Sequence, residues 1–178
     1  MKLLLTILIL NFMLQDNTLV ICDFKNQIGD TDWYVLDDGV MGGLSEGNLQ
    51  KRDTGNALYT GTVRTENNGG FSSIRHQFEA KKVSEYNQVT LKVKGDGKSY
   101  QFRIKEKRSQ RYSYIHSFDT SGEWEVISLP LDEFYPGFRG RVIDIPNYPG
   151  EVMEEIAILI GNKTKENFAL EIESIYLE

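Results

Sequence analysis

The sequence of 178 residues predicts an all-β protein, an antiparallel β-sandwich or jelly roll. Short runs of alternating apolar and polar residues recur along the chain, separated by turns rich in Gly, Asn and Asp. No apolar stripe with helical spacing extends over a useful length. Nor does any internal repeat or low-complexity tract divide the chain, whose length suits one domain able to bury a core without staples.

The elements are read in order. Residues 1–16 form a hydrophobic segment with one lysine and an apolar run broken only by Thr6 and Asn11, a candidate signal peptide or uncleaved anchor. No small residues mark a cleavage site after it, and Ile21 is bulky where a lipoprotein box would place a small residue before Cys22. The expected location is exported or periplasmic, with membrane association through this segment, and cytoplasmic as the alternative. The folded domain is placed at 17–178, with 18–24 as its β-branched first strand.

Residues 33–47, WYVLDDGVMGGLSEG, read as a loop shaped by four glycines. Residues 57–64 and 71–78 alternate about the turn cluster Glu66-Asn67-Asn68-Gly69-Gly70 and are expected to pair as a hairpin. A second hairpin is expected where Val89, Leu91 and Val93 are followed by Gly95-Asp96-Gly97 and then Tyr100, Phe102 and Ile104. Tyr112, Tyr114, His116 and Phe118 share one strand face, read as a core face first and a ligand platform second. Residues 124–129 form a strand stopped by Pro130, 131–153 read as a long irregular crossing loop, and 154–161 and 168–176 close the chain as strands. The total is about nine or ten strands.

Charge narrows the function. With 26 acidic and 20 basic side chains of mixed distribution, a net charge of −6 argues against a nucleic-acid partner. Cys22 is the single cysteine, so no intramolecular disulfide forms, and beside it His76 and His116 would need carboxylates to complete a zinc shell. No metal or cofactor is expected.

The 33–47 stretch passes several motif tests in form and fails them in context. Gly43-Leu44-Ser45-Glu46-Gly47 fits a nucleophile elbow, but no helix pattern follows, so Ser45 is read as bonding local backbone. Asp37 and Asp38 are adjacent and would face opposite ways on a strand, so they share a site only if the chain turns there. Asp30 and Asp32 do not open a calcium loop, because Tyr34, Val35 and Met41 occupy positions that need oxygen ligands or glycine. Gly39, Gly42 and Gly43 lack the spacing of a dinucleotide turn, though they could form an anion-binding nest. Arg75, Arg103, Arg139 and Arg141 lie in or beside strands and could give forked donors to a carboxylate or a sugar hydroxyl. Asn162-Lys163-Thr164 is a glycosylation acceptor sequence. The candidate partner-binding residues are Trp33, Asp37, Asp38, Met41, Ser45, Arg75, Arg103 and Arg139. No catalytic set emerges.

Trp33, Asp38-Gly39-Val40-Met41-Gly42-Gly43 and Ser45 resemble the signature of the complex I intermediate-associated protein 30 family. Gly70-Phe71-Ser72-Ser73-Ile74-Arg75 resembles its second signature, Tyr100-Gln101-Phe102-Arg103 its middle hairpin, and Trp124, Val126, Leu129-Pro130-Leu131, Phe134, Pro136 and Phe138-Arg139-Gly140 its third block. Ile156 to Ile160 and Phe168 to Ile175 resemble its closing strands. The resemblance implies a galactose-binding-like jelly roll and a role in assembling NADH:ubiquinone oxidoreductase, here without the Arg- and Ser-rich presequence of mitochondrial import. The expected function is therefore non-catalytic recognition of a protein partner, a respiratory-complex component among the candidates, through 33–47 and adjoining strands. The alternative is an exported carbohydrate-binding module using Tyr112, Tyr114 and the arginines.

Overall fold

A computed structural model describes residues 17–178, with the side chains of Val40 and Met41 outside the described set. The expectations for 1–16 lie outside the described residues. Two antiparallel sheets pack face to face. One contains β1 (Leu19–Asp23), β3 (Glu46–Lys51), β4 (Ala57–Val63), β6 (Gln88–Lys94), β9 (Trp124–Pro130) and β13 (Glu166–Leu177), in the order β3-β4-β13-β6-β9 with β1 also paired to β13. The other contains β2 (Trp33–Asp37), β5 (Ser72–Lys82), β7 (Ser99–Lys105), β8 (Ser113–Asp119), β10 (Tyr135–Phe138), β11 (Arg141–Val142) and β12 (Val152–Ile160), in the order β11-β10-β8-β7-β12-β5-β2.

Alternation explains the inner faces. Ile156, Ile158 and Ile160 of β12 meet Ile74 of β5 and Phe102 and Ile104 of β7, all fully buried, and Leu91, Val93, Leu170 and Ile172 complete the core from the facing sheet. The predicted core face of β8 is also found inside: Tyr114 packs on Tyr148 at 5.1 Å between ring centroids, and Phe118 on Tyr100 at 5.9 Å. Tyr114 is therefore no exposed sugar platform, and Tyr112 packs partly buried against the core beside it.

Pairing departs from the sequence reading. Residues 57–64 and 71–78 do not form a hairpin: β4 pairs with β3 and β13, whereas β5 pairs with β12 and β2 in the other sheet. Likewise β6 pairs with β13 and β9, and β7 with β12 and β8. Both expected hairpins are crossovers between sheets. Period-two alternation states only which side of a strand is buried, and an inner face is needed in either sheet, so the pattern is blind to the partner. Tertiary bonds fix the second crossover, where Asp96 accepts from the Ala169 N–H of β13 at 3.0 Å and from the Tyr100 hydroxyl at 3.0 Å.

Two loops also contain more structure than expected. Within 131–153 a short 3-10 turn (Leu131–Glu133), β10, β11 and the start of β12 appear. The 33–47 stretch is β2, a 3-10 turn (Asp38–Met41) and the beginning of β3. Its route from one sheet to the other sets the candidate site.

Candidate functional site

β2 ends where Asp37 takes an extended conformation and Asp38 opens the 3-10 turn. That change of direction lets both carboxylates act at one crossing. One Asp37 oxygen accepts from the Ser72 hydroxyl at 2.5 Å and the other from the Gly47 N–H at 3.0 Å. The Tyr59 hydroxyl donates to Ser72 at 2.7 Å, so a buried polar chain runs from the six-stranded to the seven-stranded sheet.

Asp38 is 1% exposed. One of its oxygens accepts from the Ser45 N–H at 3.0 Å, and the other from the Ser45 hydroxyl at 2.6 Å, the Gly70 N–H at 2.6 Å and the Phe71 N–H at 3.2 Å. Burial pushes this carboxyl up, but the bonds from Ser45, Gly70 and Phe71 outweigh it and hold the group below the usual carboxylate range. Ser45 gives its proton to Asp38 and accepts from the Arg64 N–H at 2.9 Å. These atoms are spent on joining the ends of β2, β3, β4 and β5. The glycines serve the same lock: a Cβ on Gly43 would lie 2.2 Å from the Asp38 carboxyl carbon, and one on Gly69 2.5 Å from its oxygen.

Trp33 anchors the start of this stretch. Its indole N–H donates to the Gly29 carbonyl at 2.9 Å, and its ring stacks on His76 at 4.9 Å. The role expected of Met41 belongs to a side chain outside the described set. Arg139 sits in the turn between β10 and β11 with its guanidinium 5.4 Å from the Phe138 ring, which Arg111 approaches at 5.5 Å.

Arg75 and Arg103 are brought together instead, on the outer face of the seven-stranded sheet. Arg75 on β5 and Arg103 on β7 both lie opposite Ala157 of β12. The same cross-strand row continues to Tyr34 of β2 on one side and to Ile115 of β8 and Tyr135 of β10 on the other. In the next row Gln77, Glu155 and Lys105 stand side by side. Glu155, 2% exposed, accepts from Arg75 at 3.0 Å and Gln77 at 2.6 Å and pairs with Lys105 at 3.3 Å. Ala157 and Leu159 on this face are 4% and 6% exposed although they do not belong to the core between the sheets. Longer side chains on the flanking strands shield them, so the face has a built floor. At its β2 edge an open depression of about 590 Å³ is lined by residues that include Trp33, Tyr34, Gln77 and Arg108.

Arg103 is the outlier on that floor. Its Nε and Nη2 both donate to the Gln101 side-chain carbonyl, at 3.1 and 2.6 Å, and among the described residues it forms no ion pair. Burial, and then the neighbouring charge of Arg75, lowers its guanidinium to about 10. Sequence reasoning selected both arginines but missed Tyr34, Gln77, Gln101, Lys105, Tyr135 and Glu155. Alternation put Gln77, Gln101, Lys105 and Glu155 on the non-core face, whereas Tyr34 and Tyr135 fell in stretches read as loops, and the row they form exists only once register is known. Among the described residues no group of three or more His, Cys, Asp and Glu side chains is placed to hold a metal ion.

The sequence model described as complex I intermediate-associated protein 30 matches residues 22–172. The chain belongs to that family. A probable complex I intermediate-associated protein 30, mitochondrial, of Caenorhabditis elegans is 26% identical over 168 residues, covering 82% of this chain and 47% of the relative. The Drosophila melanogaster complex I intermediate-associated protein 30, mitochondrial, is 26% identical over 147 residues, covering 70% and 50%. The chain spans about half the length of these two relatives. The expectation of an exported or periplasmic protein, with its cytoplasmic alternative, is corrected by these names, which are mitochondrial. Among solved structures, the family 11 carbohydrate-binding module of the cellulosomal cellulase Lic26A-Cel5E of Clostridium thermocellum superposes with a TM-score of 0.67 at 15% identity, covering 90% of this chain and 94% of that one. This member of the complex I intermediate-associated protein 30 family therefore has a galactose-binding-like jelly roll, and at that identity the likeness is one of fold.

Proposed function

We propose that this chain is a binding module in the assembly of respiratory complex I, recognising a protein partner through the outer face of the seven-stranded sheet. The family match over 22–172 carries the reading. The site geometry supports it. Asp37, Asp38 and Ser45 are occupied in closing the fold, whereas Tyr34, Arg75, Gln101 and Arg103 present polar and aromatic groups on a shielded floor. The crossing from Asp37 to Ser45 then supports that face, to which the 33–47 stretch contributes Tyr34.

The test is capture from solubilised mitochondrial membranes of the source organism, comparing the intact chain with an Arg75→Gln/Arg103→Gln variant. Complex I subunits or their assembly intermediates should be enriched by the intact chain, and their absence from its eluate would end the proposal. A carbohydrate-binding role is the second reading, favoured by the fold shared with the family 11 module and by Tyr34, 40% exposed at the edge of the face. A glycan array probed with the intact chain decides it.

A further inference from the structure

We propose that Arg75 and Arg103 form a carboxylate-binding pair that docks an acidic, extended segment of the partner protein across the seven-stranded sheet. The inference rests on the protein-recognition reading above and names the chemistry it would use. Both side chains flank Ala157, whose methyl group leaves space between them. Neighbouring strands lie about 4.8 Å apart, so the two arginine strands are about 10 Å apart across β12. That separation admits one carboxylate-bearing side chain between two guanidinium forks.

Charge complementarity selects the ligand class. In the two adjoining rows Arg75, Arg103 and Lys105 face a single carboxylate, Glu155, in a chain whose net charge is −6. Glu155 is already shared between Arg75 and Lys105. Arg103 has only the neutral Gln101 amide, and the Nε of Arg75 is buried without a partner among the described residues. An incoming carboxylate would supply the acceptors both lack, in a geometry that guanidinium groups bind bidentately. The lowered Arg103 guanidinium fits this arrangement, since burial and then the neighbouring Arg75 disfavour its charged form, which an anion seated beside it would favour.

The length of the face selects an extended segment. The row from Tyr34 to Tyr135 crosses six strands. Its five spacings give about 24 Å, the reach of about seven extended residues. Tyr34 and Tyr135 stand at the two ends, where aromatic side chains can cover the flanking residues of the segment.

The experiment measures fluorescence anisotropy of a fluorescein-labelled (Thr-Glu)4 peptide, and of its (Thr-Gln)4 counterpart, with the full chain. The acidic peptide should bind at least tenfold more tightly than the amide peptide, and binding should weaken with added salt. Arg103→Gln should weaken it at least tenfold, Arg103→Lys should keep part of it by retaining charge without the fork, and Lys163→Gln, on an exposed turn, should leave it unchanged. Circular dichroism on each variant confirms that the sheet is intact; if Arg103→Gln is unfolded, Arg103→Lys and Arg75→Gln decide the matter. Equal binding of both peptides, no binding of the acidic one, or unchanged binding by folded arginine variants would overturn the proposal. Tighter binding of polygalacturonate than of the acidic peptide would also overturn it, by assigning the pair to a sugar acid. If the doubly substituted chain captured complex I intermediates as well as the intact chain does, the arginine pair would fail while the assembly role stood. If the intact chain captured none, the assembly role would fail whatever the peptide result.

Discussion

Asp38 grips Ser45 at two points, accepting the serine's N–H on one carboxylate oxygen at 3.0 Å and its hydroxyl on the other at 2.6 Å. The serine of an apparent nucleophile elbow is thereby part of a strand crossing. The same carboxylate then takes the Gly70 and Phe71 N–H groups, closing the start of β5 against the end of β2.

Asp38→Ala should destabilise the protein by about 3 kcal/mol or more, because each buried donor left without its acceptor costs about 1–3 kcal/mol. Asp38→Asn, which retains one acceptor oxygen, should fall between. Urea unfolding followed by circular dichroism measures both. The carboxyl is held below its usual range in the folded state, so its contribution is fully present above the unfolded value of about 4 and is lost as pH falls through the folded one. Asp38→Asn should accordingly flatten the acid limb of the stability curve.

Gly43→Ala should cost about 1–3 kcal/mol as an overpacked site. Its Cβ would lie 2.2 Å from the Asp38 carboxyl carbon, whereas a Cβ on Gly39, in the 3-10 turn just before it, meets nothing within 4 Å. Gly39→Ala is expected to be nearly neutral. Parallel thermal melts of the two variants separate the need for space at Asp38 from a general need for glycine in the turn.

His76 should make the protein lose stability as pH falls below the imidazole's ordinary value of 6.5. Burial lowers its imidazole below 6.5, against the carboxylate and carbonyl of Asp32 and the Thr31 carbonyl, which raise it, while Lys81 adds to the fall. The ring stacks on Trp33, packs near Phe78 and has a buried Nδ1 without a partner among the described residues. The unfolded state binds the proton first, so stability is full above the unfolded pKa and declines as pH falls through it towards the folded value. Urea midpoints at pH 7.5 and 5.5 should differ for the intact chain, and the difference should shrink in His76→Phe. An unchanged difference would assign the loss to another group.

The strands themselves were written in local alternation. Val89, Leu91, Val93, Tyr100, Phe102 and Ile104 all point inward as their period requires, because burial is decided residue by residue along a pleat. Family membership was legible as well, in blocks that include the residues around Asp38 and those around Gly70, which one carboxylate holds together in the structure. Short strands escaped notice in 131–153, where β10 and β11 have four and two residues and interruptions by Pro136 and Gly137.

What the sequence determined by itself was therefore the all-β class, the inward faces and the family. The tertiary structure decided which sheet each strand joins, because both sheets demand the same apolar face and only long-range contacts distinguish the partners. It also decided that Asp37 and Asp38 converge on one crossing, since the turn at Asp38 removes the opposite-facing geometry of a continued strand. The arginine pair depended on it most. Arg75 and Arg103 are 28 positions apart in the chain and become neighbours only because β12 inserts between their strands with Ala157 opposite both.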